Sequence, residues 1–391
     1  MTQLDPSILL VDDSAVNLEI LKEALARYNT ITASNGDEAM EIAFSREKPD
    51  LILLDIVMPG MNGYEVCRIL KNNDLSKDIP IIFITGQNDS ESILKGFEAG
   101  AIDYITKPFN IMELKARVKT QLSIKMARDQ NQRLIQKIRT VNKKLTDSIE
   151  YAQKIQNASL PHEDFLNKIM PEHFIMLRPR DIVSGDFYWV EETNNKLIIV
   201  AADCTGHGVP GAFMSMYGVA YLHEIVGKNG ITQPAEIINK LRRIVIESLK
   251  QEEGSEVKDG MDISIISIDK TNKVIEFAGA FNDLLLVRNK EMQIFQADHM
   301  PVSIGESDKP YTNHTIPYQD NDCVYLYSDG YPSQFGGPND KKLMQKGFRN
   351  LLLDNHQYPM PQQGDIFNKF FDMWKGINDQ IDDVLVMGIR M

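Results

Sequence analysis

Two sets of aspartates stand where short apolar runs end, and both could hold a hard cation beside a phosphate group. In the first third of the chain, Asp12 and Asp13 follow the run Ile8 to Val11, and Asp55 follows Leu51 to Leu54. Thr85 follows Ile81 to Ile84, and Lys107-Pro108 comes just after Tyr104-Ile105. The carboxyl ends of strands in an open parallel sheet form the binding crevice, so these side chains are expected to converge there. Magnesium takes oxygen ligands and keeps several waters, which suits Asp12, Asp13 and Asp55. Asp55 suits a nucleophile that forms an aspartyl phosphate. Lys107 can pair with phosphoryl oxygens and Thr85 can donate a hydrogen bond once charge arrives, while Gly86 leaves room. Each Asp alone could equally cap a following helix; the set is far more specific than any member.

The second set is Asp186 after Gly185, Asp203 after Ala202, Asp329 within Ser-Asp-Gly, and the pair Asp382-Asp383. Each adjoins an apolar run, so strands and glycines can hold the carboxylates rigidly. Carboxylates without histidine or thiolate partners favour magnesium or manganese over zinc. Two such ions about 4 Å apart activate a water for in-line attack on a phosphate ester, and no protein nucleophile is needed. The sequence accordingly has no Gly-x-Ser-x-Gly elbow and no cysteine in an arginine-rich phosphate loop. Four residues keep two readings each. His207 is a general acid or a turn residue, Asp262 an accessory ligand or, by preference, a surface strand residue. Arg178 and Arg180 are phosphate ligands or, by preference, solvated charges.

The elements that must position these residues follow from periodicity. Residues 1–122 alternate apolar runs with amphipathic stretches such as Ala15 to Ala26 and Gly63 to Leu70, which predicts an α/β domain with a doubly wound, five-stranded parallel sheet. Residues 123–160 carry no glycine or proline and accept a heptad, with a positions Ile124, Asn131, Ile138, Leu145 and Ala152 and d positions Ala127, Leu134, Val141, Ser148 and Ile155. This predicts a linker helix that pairs as a dimeric coiled coil, Asn131 favouring two parallel strands; packing on its own domain is the other reading. Pro161 supplies a stop. Residues 161–391 mix short β-like runs with two helical stretches, one after Pro210 and one over Pro234 to Leu249, which predicts an α+β layered domain.

The ordered motifs Leu-Val-Asp-Asp-Ser, Leu-Asp-Ile-Val-Met-Pro-Gly-Met-Asn-Gly, Ile-Thr-Gly and Ala-Ile-Asp-Tyr-Ile-Thr-Lys-Pro-Phe resemble the two-component receiver family over about residues 5–122. The resemblance implies that Asp55 accepts phosphate from a sensor histidine kinase and that Tyr104 reorients with Thr85. Ser184-Gly-Asp-Phe-Tyr-Trp, Asp203-Cys-Thr-Gly-His-Gly-Val-Pro-Gly and Tyr-Ser-Asp-Gly resemble the SpoIIE/RsbU branch of the type 2C metal-dependent serine/threonine phosphatases, over about residues 160–391. That resemblance implies a layered β-sandwich flanked by helices. It also implies metal ligands Asp186, Asp203, Asp329 and Asp382, with the Cys204 carbonyl as a backbone ligand and Asp383 as second choice. Val384-Leu385 departs from the family, many members of which carry a hydroxyl residue two positions after the aspartate pair.

The whole therefore reads as a response regulator whose output domain hydrolyses phosphoserine or phosphothreonine on a partner protein, by resemblance an anti-sigma-factor antagonist of the STAS type or a similar switch. The competing class is a catalytically weak module of the same fold that sequesters its partner. Retention of all four carboxylates argues against it. At 391 residues the chain is too long for one ordinary core. Its formal charge of -13 opposes binding to nucleic acid or anionic lipid. Cys67, Cys204 and Cys323 show no CxxC spacing, so no zinc site or disulfide framework is expected. No apolar run suffices to span a bilayer, and the opening Met-Thr-Gln-Leu-Asp lacks a basic region followed by an apolar stretch, so the expected compartment is the cytoplasm.

Overall fold

The computed structural model describes residues 5–86, 90–252, 259–305 and 308–391, so most of the opening Met-Thr-Gln-Leu-Asp lies outside the described residues. The chain divides into two compact units, Met1–Asn142 and Lys143–Met391. In the first, strands β1 (Ser7–Val11), β2 (Asn29–Ala33), β3 (Leu51–Asp55), β4 (Ile81–Thr85) and β5 (Asp103–Thr106) alternate with helices α1 (Ala15–Ala24), α2 (Gly36–Phe44), α3 (Gly63–Lys71) and α4 (Ser90–Glu98). All strand pairs are parallel, in the order β2-β1-β3-β4-β5. β3 and β4 are buried at every residue, as expected of strands covered on both faces. One face packs on Ala39, Ala43, Val66, Cys67 and Leu70; the other packs on Leu21, Leu25, Leu114, Val118 and Leu122. α3 starts at a capping box in which Asn62 accepts from the Glu65 N–H and Glu65 accepts from the Asn62 N–H. This ends the loop that follows Asp55.

Helix α5 runs unbroken over Ile111–Ser159. It covers the sheet as far as Leu122; from residue 123 to residue 155 no side chain is buried. Most apolar heptad positions stand open, with Ile138 58% and Leu145 59% exposed.

The second unit contains α6 (Glu163–Ile169), β6 (His173–Arg178), β7 (Phe187–Thr193), β8 (Lys196–Cys204), α7 (Gly208–Leu222), a π-helical turn (His223–Lys228), α8 (Pro234–Ser248), β9 (Met261–Asp269) and β10 (Val274–Ala280). Then follow β11 (Leu284–Arg288), β12 (Glu291–Phe295), β13 (His314–Pro317), β14 (Cys323–Tyr327), α9 (Gly330–Ser333), the short pair β15 (Phe335–Gly336) and β16 (Lys341–Lys342), α10 (Met344–Asn355), α11 (Met360–Lys375) and β17 (Val384–Arg390). Two five-stranded antiparallel sheets, ordered β13-β10-β9-β8-β7 and β12-β11-β14-β17-β6, face each other. Leu197, Ile199 and Ile266 of one pack against Leu286, Leu326 and Met387 of the other. Helices α7 and α8 cover the outer face of the first sheet, and α10 and α11 cover that of the second. The layered β-sandwich flanked by helices is therefore present.

Two helical stretches are too few for this unit. α10 and α11 contain Gly347, Pro361 and Gly364, which weaken a helical pattern read from sequence. Pro361 lies in the first turn of α11, where its missing N–H costs nothing. Gly364 lets the helix approach Phe174, since a Cβ there would stand 3.0 Å from the Phe174 Cβ. α7 also begins earlier than predicted and takes Pro210 into its first turn.

Candidate functional site

At the carboxyl edge of the first sheet, carboxylate oxygens of Asp12, Asp13 and Asp55 lie within 4.8 Å of one another. Lys107 Nζ bridges Asp12 Oδ2 at 2.9 Å and Asp55 Oδ2 at 2.7 Å. Asp12 is fully buried and held by the Ser14 N–H at 2.9 Å and the Asn17 side-chain amide at 2.9 and 3.1 Å. Burial raises the Asp55 pKa, opposed but not cancelled by the Lys107 hydrogen bond and charge. Burial acts to lower Lys107, yet the bonds to Asp55 and Asp12 outweigh it, so the lysine is more firmly protonated than usual. Thr85 is buried at the end of β4, and Tyr104 sits half-buried on β5, edge-on to Phe97 at 6.3 Å. A Cβ added at Gly86 would meet nothing within 4 Å, so the space beside Thr85 is open.

The second carboxylate set gathers in the second unit. Asp186, just before β7, is 1% exposed, and its Oδ2 accepts from the Ser328 hydroxyl at 2.5 Å. That hydroxyl in turn accepts from the Leu385 N–H at 2.9 Å, tying Asp186 to β17. Burial first, and Asp203 second, push Asp186 well above the usual carboxylate range. Asp203 is pushed up to about 8 by burial, Asp329, Asp382 and Asp262 in that order. Asp382 is raised by burial and Asp329, with His207 and Arg180 opposing. The chemistry of this donor set fits divalent cations. Carboxylates that raise one another's pKa in a buried place lack positive charge, and two ions would supply it. The oxygens are spread more widely than those of the first site; a two-ion site is itself wider than a one-ion site.

Asp383 differs from its neighbour. Its Oδ1 accepts from the Arg180 N–H and its Oδ2 from the Gly185 N–H, both at 2.7 Å, so each oxygen already braces backbone. Asp382 uses only Oδ1, to the Asp383 N–H at 2.9 Å. Burial raises the Cys204 thiol well above its usual range, making it inert. The Cys204 carbonyl lies 3.3 Å from where a Cβ on Gly185 would stand, facing the Asp186 loop.

The remaining candidates fall in different places. Asp262 is not a surface strand residue: β9 runs antiparallel to β8 with Asp262 directly opposite Asp203. It is pushed up to about 6 by burial and Asp329. Arg178 turns to α11, bonding Asp372 at 2.6 Å over the Phe371 ring, so it is neither a phosphate ligand here nor simply solvated. Arg180 is exposed and gives its N–H to Asp383. His207 pairs Nδ1 with Asp181 Oδ2 at 2.8 Å at the head of α7. Sequence reasoning had no signal for Asp181, and it named Ser328 only as part of a motif.

Asp203, at about 8, holds a proton in the folded chain that the unfolded chain releases near pH 4. The folded state therefore binds more protons across that window, and metal-free stability falls as pH rises from 4 to 8. The metal-free second unit is expected to melt roughly 7–15 °C lower at pH 8 than at pH 5, on the scale of about 2–4 °C per kcal/mol for a unit of this size. Added Mn2+ is expected to remove most of that slope. Calorimetry at the two pH values, with and without Mn2+, checks this, and a flat metal-free profile would contradict it.

Comparison with known proteins agrees with the geometry. The response regulator receiver domain family matches residues 8–119, and the Stage II sporulation protein E (SpoIIE) family matches residues 193–391, half of the chain. The solved SiaA-PP2C domain of Pseudomonas aeruginosa is 30% identical with a TM-score of 0.59, and the alignment covers 64% of this chain and 98% of that one. A probable cyclic di-GMP phosphodiesterase of Vibrio cholerae is 46% identical over 124 residues, 32% of this chain and 28% of that protein. The phosphate regulon transcriptional regulatory protein PhoB of Pseudomonas aeruginosa is 46% identical over 118 residues, 30% of this chain and 51% of that protein. The chain thus spans about half or less of the length of these curated relatives. No helix among the described residues is long and apolar enough to cross a membrane. The chain joins a response regulator receiver domain to a PP2C-type domain and belongs to the SpoIIE family.

Proposed function

We propose that phosphorylation of Asp55 controls hydrolysis of phosphoserine or phosphothreonine on a partner protein by a site that uses two divalent ions, Mn2+ or Mg2+. The observation that carries this reading is a set of buried carboxylates with too little positive charge among them: burial raises Asp186, Asp203, Asp262 and Asp382, Asp203 adds to the rise of Asp186, and Asp329 adds to that of the other three. When bound, the ions supply the Lewis acidity that activates water against a phosphate ester. Asp186, Asp203, Asp329 and Asp382, with the Cys204 carbonyl, are the residues we assign to hold them. Asp382 is preferred over Asp383 because both Asp383 oxygens are committed to backbone N–H groups. In the receiver, Asp12, Asp13 and Asp55 hold Mg2+, Lys107 and Thr85 receive the phosphoryl charge, and a sensor histidine kinase is the donor. The substrate class is a phosphorylated switch protein such as an anti-sigma-factor antagonist. We place this protein in the cytoplasm, with residues 1–122 as receiver, 123–160 as linker and 161–391 as phosphatase. Release of phosphate from such a phosphoprotein, with Mn2+ present and with chelator, tests the reading. Full activity in excess chelator would refute it.

The open heptad face of α5 supports a homodimer through the linker. Four residues inserted near Lys143 would shift the downstream seam by about 40° and break the seven-residue repeat, whereas seven would preserve it. We expect the first insertion to uncouple hydrolysis from Asp55 phosphorylation and the second to keep much of the coupling. Measured rates with and without acetyl phosphate decide; regulation intact after both insertions counts against the coiled coil.

A further inference from the structure

Beyond Leu122, α5 buries one side chain, Gln156, which is 6% exposed. Its Nε2 donates to the Ser184 carbonyl at 2.6 Å and to the Ser215 hydroxyl at 2.8 Å. Its Oε1 accepts from the Ser184 N–H at 3.1 Å. Both ends of the amide thus grip the same residue, two positions before Asp186. Between them, Gly185 gives its N–H to Asp383. Ser215 lies in α7, which is seated tightly on the same loop. A Cβ on Gly211 would stand 2.9 Å from the Gly185 Cα and 2.3 Å from the Gly206 carbonyl oxygen. One side chain of the linker therefore meets the loop that carries Asp186 and the helix that follows Asp203 to His207.

Packing alone does not explain a glutamine here. A buried amide is costly unless its hydrogen bonds are all met, and an apolar side chain of the same length would fill the space without that demand. The amide gives direction: a shift of α5 pulls on the Ser184 peptide from both its N–H and its carbonyl. The Asp186 carboxylate, one rigid glycine away, must follow.

We propose that Gln156 is a positioning residue that sets Asp186 relative to Asp203, so that the seating of α5 governs the metal affinity of the phosphatase site. This rests on the two-ion reading above. The test uses the full chain in an Asp13→Asn background, which silences the receiver's cation site. Free Mn2+ is followed by electron paramagnetic resonance through a titration, alongside hydrolysis of p-nitrophenyl phosphate. Gln156→Met keeps the side-chain volume and removes all three hydrogen bonds. The Mn2+ dissociation constant is expected to rise roughly 10- to 100-fold, the range seen when groups orienting metal ligands are removed. Turnover at saturating Mn2+ should stay within about threefold, a split that a purely packing role would not produce. Ser215→Ala, which removes one of the three bonds, should give a smaller rise of the same kind. Unchanged Mn2+ affinity in a folded Gln156→Met protein overturns the proposal and leaves the two-ion reading standing. If Gln156→Met does not fold, unchanged affinity in Ser215→Ala overturns it instead. A parent chain that binds no Mn2+ removes the two-ion reading itself.

Discussion

Asp203→Asn is expected to lower phosphate release by at least about a thousandfold at saturating Mn2+, equivalent to about 4 kcal/mol of transition-state stabilisation. Asp203 stands at the end of β8 with Asp262 directly opposite on β9. It is electrostatically tied to Asp186, Asp329, Asp382 and Asp262. No other carboxylate in the set has so many acidic neighbours, so its charge is the hardest to replace. Asparagine has the same shape and retains one oxygen, so the strand should remain intact. Metal-free Asp203→Asn protein should even melt higher than the parent at pH 8, where the parent must give up a buried proton. Activity and melting together make the test specific. A variant that is folded and within tenfold of the parent in turnover would remove Asp203 from the site.

Asp55→Asn is expected to abolish acid-labile phosphate uptake from acetyl phosphate and, with it, any effect of acetyl phosphate on the phosphatase rate. The nucleophile must be an ionised carboxylate, and Lys107 at 2.7 Å favours that form against the burial that raises Asp55. Phosphorylation replaces that single charge with nearly two negative charges and three strong acceptor oxygens. Lys107 must then choose between phosphoryl oxygens and Asp12, and Thr85 gains an acceptor. Lys107→Ala should therefore still take up some phosphate while losing the response in phosphatase rate. Radiolabelled uptake separates the two variants. Persistent acid-labile label in Asp55→Asn would show that another residue is the acceptor.

The receiver was legible because its chemistry sits at strand ends, and each strand is an apolar run that sequence exposes directly. Asp12, Asp13, Asp55 and Lys107 needed only the rule that parallel strands present their carboxyl ends together. The second unit resisted where partners lie far apart along the chain. Asp262 could not be paired with Asp203 from sequence, because two helices separate β8 from β9 and antiparallel register depends on the whole ladder. Arg178 read as solvated because its partner Asp372 lies on α11, a helix whose proline and glycine hid it. Gln156 was invisible for another reason. It lies one position beyond the d residue Ile155, and periodicity ranks positions by apolarity, so it cannot show that a polar side chain is the buried one.

The bare stretch of α5 between Arg128, which still pairs with Asp78 at 2.7 Å, and Gln156 has a thermodynamic consequence. Helices in water are marginal when neither tertiary contacts nor a partner covers them, because nucleation is costly and propagation gains little per residue. Over residues 129–155 no buried side chain anchors the backbone. If the linker pairs as proposed, helix formation and chain association in this region are one linked equilibrium, and the order of the segment depends on how many copies are present. Diluting the protein through its association constant should lower the helical circular dichroism signal while both terminal units stay folded. The abundance of the protein would then act as a second input, setting what fraction of chains can pass on a phosphorylation event at all.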